Sequence, residues 1–516
     1  MLFTLFYAAA TLGLALYGFN ALLYSFLFVW LRFRQLPADS EPSENFDGDW
    51  PAVTVQLPIY NERFVVERLI ESVAALDYPA DRLTIQILDD STDDTAALAR
   101  ARAAVYKARG LNIEYVRRPQ RTGYKAGALA YGLTQTQSPF VAIFDADFVP
   151  PPDFLRRVMP HFTDARVGMV QSRWGHLNAE HSLLTRAQAL MLDGHFGIEQ
   201  TVRSELGLLW NFNGSAGVWR AACIADSGGW GADTIAEDLD LSYRAQLRGW
   251  QMRYLPELAA SAEIPTLLVA FKRQQFRWAK GSIQCVRKLG WRLLTAQLPV
   301  VRKAQGLLHI SAYLVHPLML LLMLLSLPVM ISGEISKLQL GAIGLAGFGA
   351  PVMFALSQFA LYRDWHKRLQ YLPILILVAA GIAVNNTWAV VEALTGRNPT
   401  EFLRTPKVGA GLAPANYTLP VDWTTWAEIF FMIYSLITTV VALERAPGLA
   451  PFMAIYAMGF GYTAYLGFKQ SDRVKSQIAD GIWRMADGLS RIAYRVSHVD
   501  KPSAISDRPS AIGHQR

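Results

Sequence analysis

The sequence predicts an α/β domain with a Rossmann-like, mostly parallel sheet, inserted in an α-helical transmembrane region. Residues 50 to about 260 alternate short apolar runs with helical patterns, which is typical of an α/β domain. The hydrophobic residues, 52% of the 516-residue chain, are concentrated at the N-terminus and after Leu307. Only 18% of the residues are charged, whereas soluble domains carry roughly 25%. We therefore expect about two or three structural units, one of them in a membrane.

The charge balance and the cysteines argue against a nucleic-acid-binding protein and against a metal site built from cysteines. A net charge of +7 is compatible with nucleic-acid binding, but the cations lie mostly beside apolar segments. Membrane topology explains this placement better, so no nucleic acid is expected as a partner. Cys223 and Cys285 lack the spacing of metal ligands, and we expect both to be reduced thiols in cytosolic parts of the chain.

The sequence starts with a predicted membrane anchor. Residues 1–31 carry no charged side chain, and Arg32 and Arg34 follow at once. The apolar core of a secretory signal is about 7–15 residues long and follows a basic start, so this longer run is expected to be retained. The two arginines place the next region in the cytoplasm. Residues 37–49, rich in acid, Pro and Ser, are interpreted as a linker.

The predicted strands of the α/β domain are Val53–Leu57, Thr84–Leu88, Asn112–Val116 and Phe140–Phe144. Three of these strands end in polar clusters, Tyr60-Asn61-Glu62, Asp89-Asp90 and Asp145-Ala146-Asp147. In an open parallel sheet, ligands bind beyond the carboxyl ends of the strands. Helix capping explains any one cluster, but three successive clusters are expected to converge on one crevice.

A loop between two of these strands has the composition of a phosphate site. Arg121–Leu129 reads R-T-G-Y-K-A-G-A-L, in which the glycines let the backbone approach a ligand and Lys125 supplies a compact charge. The GxxxxGK[ST] spacing of a Walker loop is absent. Asp145 and Asp147 place two carboxylates within reach of one divalent cation, which would bridge them to a diphosphate.

Two further stretches supply candidate substrate contacts. Phe212–Gly217 is a turn of small residues that would let a substrate approach the backbone, although a tight turn needs the same residues. Ala236–Leu241 carries three acids at the start of a helix predicted to run to Arg248 and to stop at Gly249. Because acids in the first helical turn are favoured by the helix dipole, capping explains at least one of them.

The stretch Phe271–Gly281 reads F-K-R-Q-Q-F-R-W-A-K-G and lies where the charged region gives way to the apolar one. If it is helical, Gln274, Arg277 and Trp278 share one face. An amide, a fixed cation and an aromatic plate suit a site that holds a diphosphate and stacks a sugar ring. The alternative interpretation is a basic amphipathic helix lying on a membrane surface.

The second half of the chain predicts membrane segments at about 307–332, 338–361, 371–394, 426–443 and 450–468. If all of them cross, the basic tail after Phe468 lies outside, against the positive-inside bias. Asn385, Asn386 and Glu392 are costly in lipid, so we expect 371–394 to be interfacial and five segments, with the N-terminal one, to cross. The predicted divisions are 1–36 anchor, 37–49 linker, 50–262 catalytic domain, 263–300 amphipathic interface helices, 301–470 membrane region with a loop at 396–425, and 471–516 basic cytosolic tail.

These motifs resemble the D, D-x-D, [TE]-E-D and Q-x-x-R-W signatures of processive family 2 glycosyltransferases, the group of the cellulose and hyaluronan synthases. The closer likeness is to cellulose synthase-like enzymes that make mannan, glucomannan or glucan backbones, and it covers roughly residues 50–290. Phe402–Lys407 also resembles the F-x-V-T-P-K gating loop of cellulose synthases, with Arg404 in place of Val. The resemblance implies a GT-A type glycosyltransferase domain.

The resemblance also implies roles for single residues. The nucleotide-sugar-binding residues would be Tyr60, Glu62, Asp89, Asp90, Lys125, Asp145, Gln274 and Arg277. Asp145 and Asp147 would hold Mg²⁺ or Mn²⁺, and Asp238 would be the catalytic base that deprotonates the acceptor hydroxyl. The acceptor-binding residues would be Trp278, Asn213, Gly214 and Glu237. The gating residues would be Phe402, Thr405, Pro406 and Lys407.

The implied function is processive, inverting synthesis of a β-linked hexose polymer and its passage through the membrane helices. The expected donor is GDP-mannose or UDP-glucose, and the expected partners are the growing polysaccharide acceptor and membrane lipids. The resemblance implies a multi-pass protein of a bacterial-type plasma membrane, or of a Golgi-type membrane in a eukaryote, with a cytosolic catalytic domain. One alternative is a non-processive enzyme that makes a glycolipid, as ceramide glucosyltransferases do. Another is a transporter or inactive scaffold, for which the clustered acids would have to be structural.

Overall fold

The computed structural model describes residues 2–34, 49–337, 343–396 and 422–470. The predicted gating residues Phe402, Thr405, Pro406 and Lys407 lie outside the described residues, as do most of the predicted linker and the basic tail.

The strands form one eight-stranded sheet in the described part of the chain. They are β1 (Val53–Ile59), β2 (Leu83–Asp89), β3 (Ile113–Val116), β4 (Phe140–Ile143), β5 (Phe148–Val149), β6 (Val167–His176), β7 (Gly217–Arg220) and β8 (Gln251–Ala262). Their order is β3-β2-β1-β4-β7-β6-β8-β5. The predicted strands correspond to β1 through β4 and are confirmed.

The sheet is mixed, although most of its strands run in one direction. β1 pairs in parallel with β2 and β4, β2 with β3, and β6 with β8, whereas β7 is antiparallel to both of its neighbours and β5 is antiparallel to β8. The carboxyl ends of β1, β2, β4, β6 and β8 therefore share one edge. Because Ile143 at the end of β4 is opposite Gly217 at the start of β7, the turn before β7 also reaches this edge.

Helices cover both faces of the sheet and continue beyond it. Those up to β8 are α1 (Leu2–Arg34), α2 (Val66–Ala74), α3 (Thr95–Ala108), α4 (Tyr124–Thr134), α5 (Phe154–Val158), α6 (Leu183–Gly194), α7 (Gln200–Glu205), α8 (Ala221–Asp226) and α9 (Glu237–Leu247). The later ones are α10 (Leu268–Thr295), α11 (Val300–Ile310), α12 (Val315–Ile331), α13 (Gly349–Leu361), α14 (Trp365–Arg368), α15 (Leu372–Gly381), α16 (Ala383–Thr395), α17 (Trp423–Arg445) and α18 (Ala450–Lys469).

The apolar core explains why the central strands read as continuous hydrophobic runs. Val53, Val55 and Leu57 of β1 are fully buried and pack in a cluster with α2 and α5. Val141 and Ile143 of β4 belong to a second cluster with residues of α4 and α6. Strands buried on both faces cannot show the alternation of a half-exposed sheet.

Five of the described helices are long and apolar enough to cross a membrane: Leu2–Arg34, Ala312–Ile331, Ile343–Leu361, Trp423–Arg445 and Pro447–Lys469. The segment predicted to be interfacial forms two stretches, Trp365–Gly381 and Ala383–Thr395, bent by 43°. At the bend, a Cβ on Gly381 would lie 2.2 Å from Thr463 Cγ2, so the glycine allows close packing on α18.

The polar residues of the bent segment contact protein rather than open surroundings. Asn386 Nδ2 lies 2.9 Å from His316 Nε2, and Asn385 Nδ2 donates to the Lys272 carbonyl at 3.0 Å. These contacts satisfy groups that would be costly in lipid. The interfacial placement of 371–394 therefore stays a prediction that depends on the charge of the flanking segments.

Candidate active site

One open cavity lies at the shared carboxyl edge of the sheet, under the N-terminal half of α10. All the described residues that the motifs predict for substrate or metal line it, except Asp89: Tyr60, Glu62, Asp90, Lys125, Asp145, Asp147, Asn213, Gly214, Glu237, Asp238, Gln274, Arg277 and Trp278. They come from stretches far apart in the chain, and the strand order brings them together.

The loop after β1 forms one end of the cavity. Tyr60 and Glu62 line it, and Asn61 between them has φ +57°. The Asn61 N–H donates to Ser91 Oγ at 2.8 Å, and its side-chain oxygen accepts from the Thr92 N–H at 2.8 Å. These bonds tie the loop after β1 to the loop after β2 and hold the unusual backbone conformation.

Asp89 does not reach the cavity, although its neighbour does. Its carboxylate is buried, with Oδ1 accepting from the Ser91 N–H at 2.7 Å and Oδ2 accepting from the Tyr115 hydroxyl at 2.5 Å. Successive side chains of a strand point to opposite faces, so only one residue of the pair reaches the ligand side. The prediction that Asp89 contacts the nucleoside has no support in this geometry, and Asp90 is the residue of the pair that lines the cavity.

Lys125 stands at the centre of the charged part of the cavity. It follows Gly123 and Tyr124, whose φ angles of +72° and +49° turn the chain sharply into α4. Its Nζ lies 2.5 Å from Asp145 Oδ1 and donates to the Gly214 carbonyl at 2.8 Å. Burial disfavours the charged ammonium, but the negative charges of Asp145 and Glu237 outweigh this and raise the pKa of Lys125.

The turn before β7 brings backbone close to Lys125. Gly214 has φ +85°, and a Cβ there would lie 2.9 Å from Asp238 Oδ2 and 3.4 Å from Lys125 Nζ. Ser215 Oγ accepts from the Asp145 N–H at 2.9 Å, and Ala216 has φ +59°. Asn61, Tyr124 and Ala216 are the non-glycine residues with positive φ in the described chain, and all lie at this edge. Strained backbone that is held in place by its surroundings is typical of functional sites.

Two acids at the start of α9 face the cavity, and the third is structural. Asp240 is fully buried and lies 2.8 Å from both Arg244 and Lys288, so it is structural through these ion pairs and not through helix capping. Asp238 Oδ1 accepts from the Leu239 N–H at 2.8 Å. Burial, and then the charge of Glu237, raise the pKa of Asp238 to about 7, and burial also raises the pKa of Glu237. A carboxylate with a pKa near neutrality suits a general base.

The α10 helix closes the cavity from above. Gln274, Arg277 and Trp278 all line it, as their spacing predicts. The opposite side of the helix contacts the membrane region through Lys272, which lies 2.6 Å from Glu428 of α17, and Lys280, which lies 2.9 Å from Glu392 of α16. Because α10 is covered on both sides, the alternative of a helix lying on a lipid surface does not fit this part of the chain.

Comparison with known proteins agrees with this arrangement. Residues 51–281 match the family described as glycosyltransferase like family 2. This part of the chain, a little under half of its length, is similar to family 2 glycosyltransferase domains. It contains the whole sheet and the residues of α10 that line the cavity.

Plant proteins are similar over about half of this chain. Glucomannan 4-beta-mannosyltransferase 1 of Oryza sativa subsp. japonica is 41% identical over 263 residues, 50% of each chain. Glucomannan 4-beta-mannosyltransferase 2 of Arabidopsis thaliana is 44% identical over 264 residues, 50% of this chain and 49% of the relative. The chain thus matches about half the length of these curated relatives.

A solved structure shares the fold of the glycosyltransferase domain. It is the mannosyltransferase PcManGT from Pyrobaculum calidifontis in complex with GDP-Man and Mn2+, with 22% identity and a TM-score of 0.50. The match covers 76% of this chain and 100% of that one. The domain is therefore GT-A-like, with a Rossmann-like sheet of mixed direction.

The carboxylates of the glycosyltransferase domain fit a divalent cation that also binds phosphate. Asp145 and Asp147 both line the cavity, and the ranges that the structure describes contain no group of three His, Cys, Asp or Glu side chains suited to a metal ion. Mg²⁺ usually binds through one or two carboxylates together with waters and substrate phosphates. The donor set is that of an ion which arrives with a diphosphate.

Two arginines of the site were missed in the sequence. Arg118 donates to both oxygens of Asp90, at 2.8 and 2.6 Å, and also to the Thr122 and Tyr124 carbonyls, at 2.5 and 2.8 Å. The guanidinium carbon of Arg121 lies 3.4 Å from the centroid of the Tyr60 ring, and Arg121 lines the cavity. The signal was the position of Arg118 two residues after β3 and of Arg121 at the start of the predicted phosphate loop, because β3 runs parallel to β2 and ends at the same edge.

Proposed function

We propose that the protein is a membrane-embedded, inverting mannosyltransferase that extends a β-1,4-linked mannan or glucomannan chain from GDP-mannose. The observation that carries this proposal is the convergence of Lys125, Asp238 and Trp278 on one cavity. A cation for a diphosphate, a base for a hydroxyl and an aromatic plate for a sugar are the groups that glycosyl transfer requires.

The proposed reaction is a single displacement at the anomeric carbon of the donor. The acceptor hydroxyl oxygen forms the new bond to that carbon, its proton passes to Asp238, and the bond to the diphosphate breaks. Lys125 and Arg277 stabilise the negative charge that develops on the departing nucleoside diphosphate. A divalent cation held by Asp145 and Asp147 would neutralise the same phosphates. Attack from the face opposite the leaving group inverts the configuration.

Relatives favour mannose over glucose as the transferred sugar. The curated proteins similar to half of this chain are named for 4-beta-mannosyl transfer, and the solved structure with the shared fold was determined with GDP-Man. The other donor weighed from the motifs, UDP-glucose, has no such support. We therefore take GDP-mannose as the donor and a hexose polymer as the acceptor.

The contacts of α10 support a product path toward the membrane. Trp278 lines the cavity, while Lys272 and Lys280 on the same helix are paired with acids of α17 and α16. An acceptor stacked on Trp278 would therefore lie next to the membrane helices. A growing chain that leaves on this side would pass between them, as a processive enzyme requires.

The test is a membrane assay with radiolabelled GDP-mannose and UDP-glucose in parallel tubes, each with Mn²⁺, Mg²⁺ or EDTA. We expect label from GDP-mannose in ethanol-insoluble polymer, no incorporation with EDTA, and loss of incorporation in Asp238→Asn. Incorporation from UDP-glucose alone would overturn the choice of donor. Label that is extracted entirely into chloroform and methanol would overturn polymer synthesis and support transfer of one sugar to a lipid.

A further inference from the structure

The amide of Asn213 in the cavity wall is held at both ends by residues outside the cavity. Asn213 Nδ2 lies 3.1 Å from His195 Nε2, and Asn213 Oδ1 accepts from Gln200 Nε2 at 2.8 Å. Asn213 lines the cavity, whereas neither His195 nor Gln200 does. The orientation of the Asn213 amide is therefore set by residues that do not line the cavity.

Glu199 determines which nitrogen of His195 carries the proton. His195 Nδ1 lies 3.1 Å from Glu199 Oε2, and Arg203 Nε donates to Glu199 Oε1 at 3.0 Å. Burial works against the ionised carboxylate, but the His195 hydrogen bond and the Arg203 charge outweigh it and lower the pKa of Glu199. An ionised carboxylate only accepts hydrogen bonds, so Nδ1 is the donor. In the tautomer with its proton on Nδ1, the His195 ring accepts at Nε2 from Asn213 Nδ2.

The local backbone brings these partners together. His195–Glu199 forms a single π-helical turn between α6 and α7, and π turns inside helices occur frequently at functional sites. The turn places His195 and Gln200 on either side of one asparagine amide. Arg203, which binds Glu199, is itself held in place, because it donates to the Leu209 carbonyl at 3.0 Å and lies over the Tyr24 ring of α1.

The amide of Asn213 keeps free capacity toward the cavity. An asparagine side chain has two N–H donors and two acceptor positions on its oxygen. His195 and Gln200 use one of each, which leaves one donor and one acceptor in a fixed orientation. Adjacent donor and acceptor positions match a sugar hydroxyl, which can accept one hydrogen bond and donate another.

We propose that His195 and Gln200 are positioning residues that orient Asn213 for a hydroxyl of the acceptor sugar. This inference rests on the proposed function only in taking a β-1,4-linked hexose chain as the ligand. We expect the role to be selective, because Asn213 is the residue proposed for the acceptor, whereas Lys125 is the residue proposed for the donor phosphates. Substitution of His195 should therefore weaken acceptor binding without changing nucleotide binding.

The test measures binding by titration calorimetry with β-1,4-mannotetraose or cellotetraose, and separately with GDP, on the full-length protein in detergent. His195→Asn keeps a polar group near the Nδ1 position but cannot reach Asn213, whereas His195→Gln places an amide oxygen near the Nε2 position. We expect about a tenfold loss of oligosaccharide affinity in His195→Asn, the scale of one hydrogen bond of about 1.4 kcal/mol. His195→Gln should be near wild type, and GDP affinity should be the same in all three proteins.

Double substitution separates positioning from general destabilisation. If His195 acts through Asn213, adding His195→Asn to Asn213→Ala should cause no further loss of oligosaccharide affinity. An additional tenfold loss, an equal loss of GDP affinity, or failure of His195→Gln to restore binding would overturn the inference. Absence of oligosaccharide binding by the wild type would also overturn it. If binding behaves as expected but neither labelled donor is incorporated, the proposed function fails and the positioning role stands.

Discussion

At the residue scale, the proposed catalysis depends on the proton affinity of Asp238. Burial and the charge of Glu237 raise the pKa of Asp238 toward neutrality, while the charge of Lys125 lowers it. A base must be ionised before it can accept a proton, so its pKa should be visible in the rate.

We predict an acid limb in the pH dependence of transfer. The specificity constant for the donor (kcat/KM) should fall as the pH decreases through about 7, the pKa of Asp238, because protonation removes the base. In Glu237→Gln the neighbouring negative charge is absent, so the pKa of Asp238 decreases and the limb should move to lower pH. The measurement is the initial rate with GDP-mannose between pH 5 and about 9. A limb that stays in place in Glu237→Gln would contradict this electrostatic coupling.

Gly214 supplies a second residue-scale prediction. Gly214→Ala places a Cβ 2.9 Å from Asp238 Oδ2, in a backbone conformation with φ +85°. We expect loss of transfer because Asp238 must move, with a stability cost of about 1–2 kcal/mol from the backbone alone. Gly110→Ala is the matched control, because Gly110 has φ +92° and nothing within 4 Å of a Cβ. The control should lose similar stability in thermal unfolding and keep its activity; equal loss of activity in both variants would contradict a specific effect.

The sequence identified the residues of the cavity better than it identified their partners. Residues directly after strands could be placed at one edge because parallel strands end together. The burial of Asp89 could not be predicted from the motif, since a register of one residue decides which acid of the pair lines the cavity. The contacts of Arg118 and His195 join stretches that are remote in the chain, and no local pattern reports such pairs.

At the scale of elements, α10 connects the cavity to the membrane helices. Periodicity predicted that Gln274, Arg277 and Trp278 share a face, and the structure places that face on the cavity. The opposite face is buried on α16 and α17, which the sequence did not indicate, because a basic helix facing lipid head groups has the same pattern. Lys272 and Glu428, both fully buried, form the ion pair that marks this contact.

The Lys272–Glu428 pair should show strong non-additivity. Removing one partner leaves an uncompensated buried charge, which typically costs about 3–5 kcal/mol, whereas apolar replacement of both is often neutral. We therefore expect Glu428→Leu or Lys272→Met alone to lower the midpoint of thermal unfolding in detergent, and the double variant to recover most of the loss. Equal and additive losses would show that the pair contributes only as two independent side chains.

At the scale of the whole molecule, the sheet edge faces helices that belong to a membrane region. The number of crossing segments expected from the sequence agrees with the five helices that are long and apolar enough. Composition alone could not predict the bend between α15 and α16, because it depends on the contact of Gly381 with α18. The side of the membrane on which each end lies still rests on charge.

The basic tail should be cytoplasmic if the bent segment does not cross. The cations after Phe468 include Lys469, Arg473, Lys475, Arg484, Arg491 and Arg495, and such clusters are retained on the cytoplasmic side. In a bacterial host, green fluorescent protein fused after Arg516 should fluoresce and alkaline phosphatase fused there should be inactive. The opposite result would mean that α15 and α16 together form a sixth span.

The most direct test of the central claim is the size and linkage of the product made from GDP-mannose. Purified protein in detergent or nanodiscs would receive excess radiolabelled donor, and early products would be separated by size before and after digestion with endo-β-1,4-mannanase. Processive synthesis predicts long chains from the first minutes, reduced by the mannanase to short oligosaccharides, and none in Asp238→Asn. Products that carry a single mannose, or chains that resist the mannanase, would contradict it.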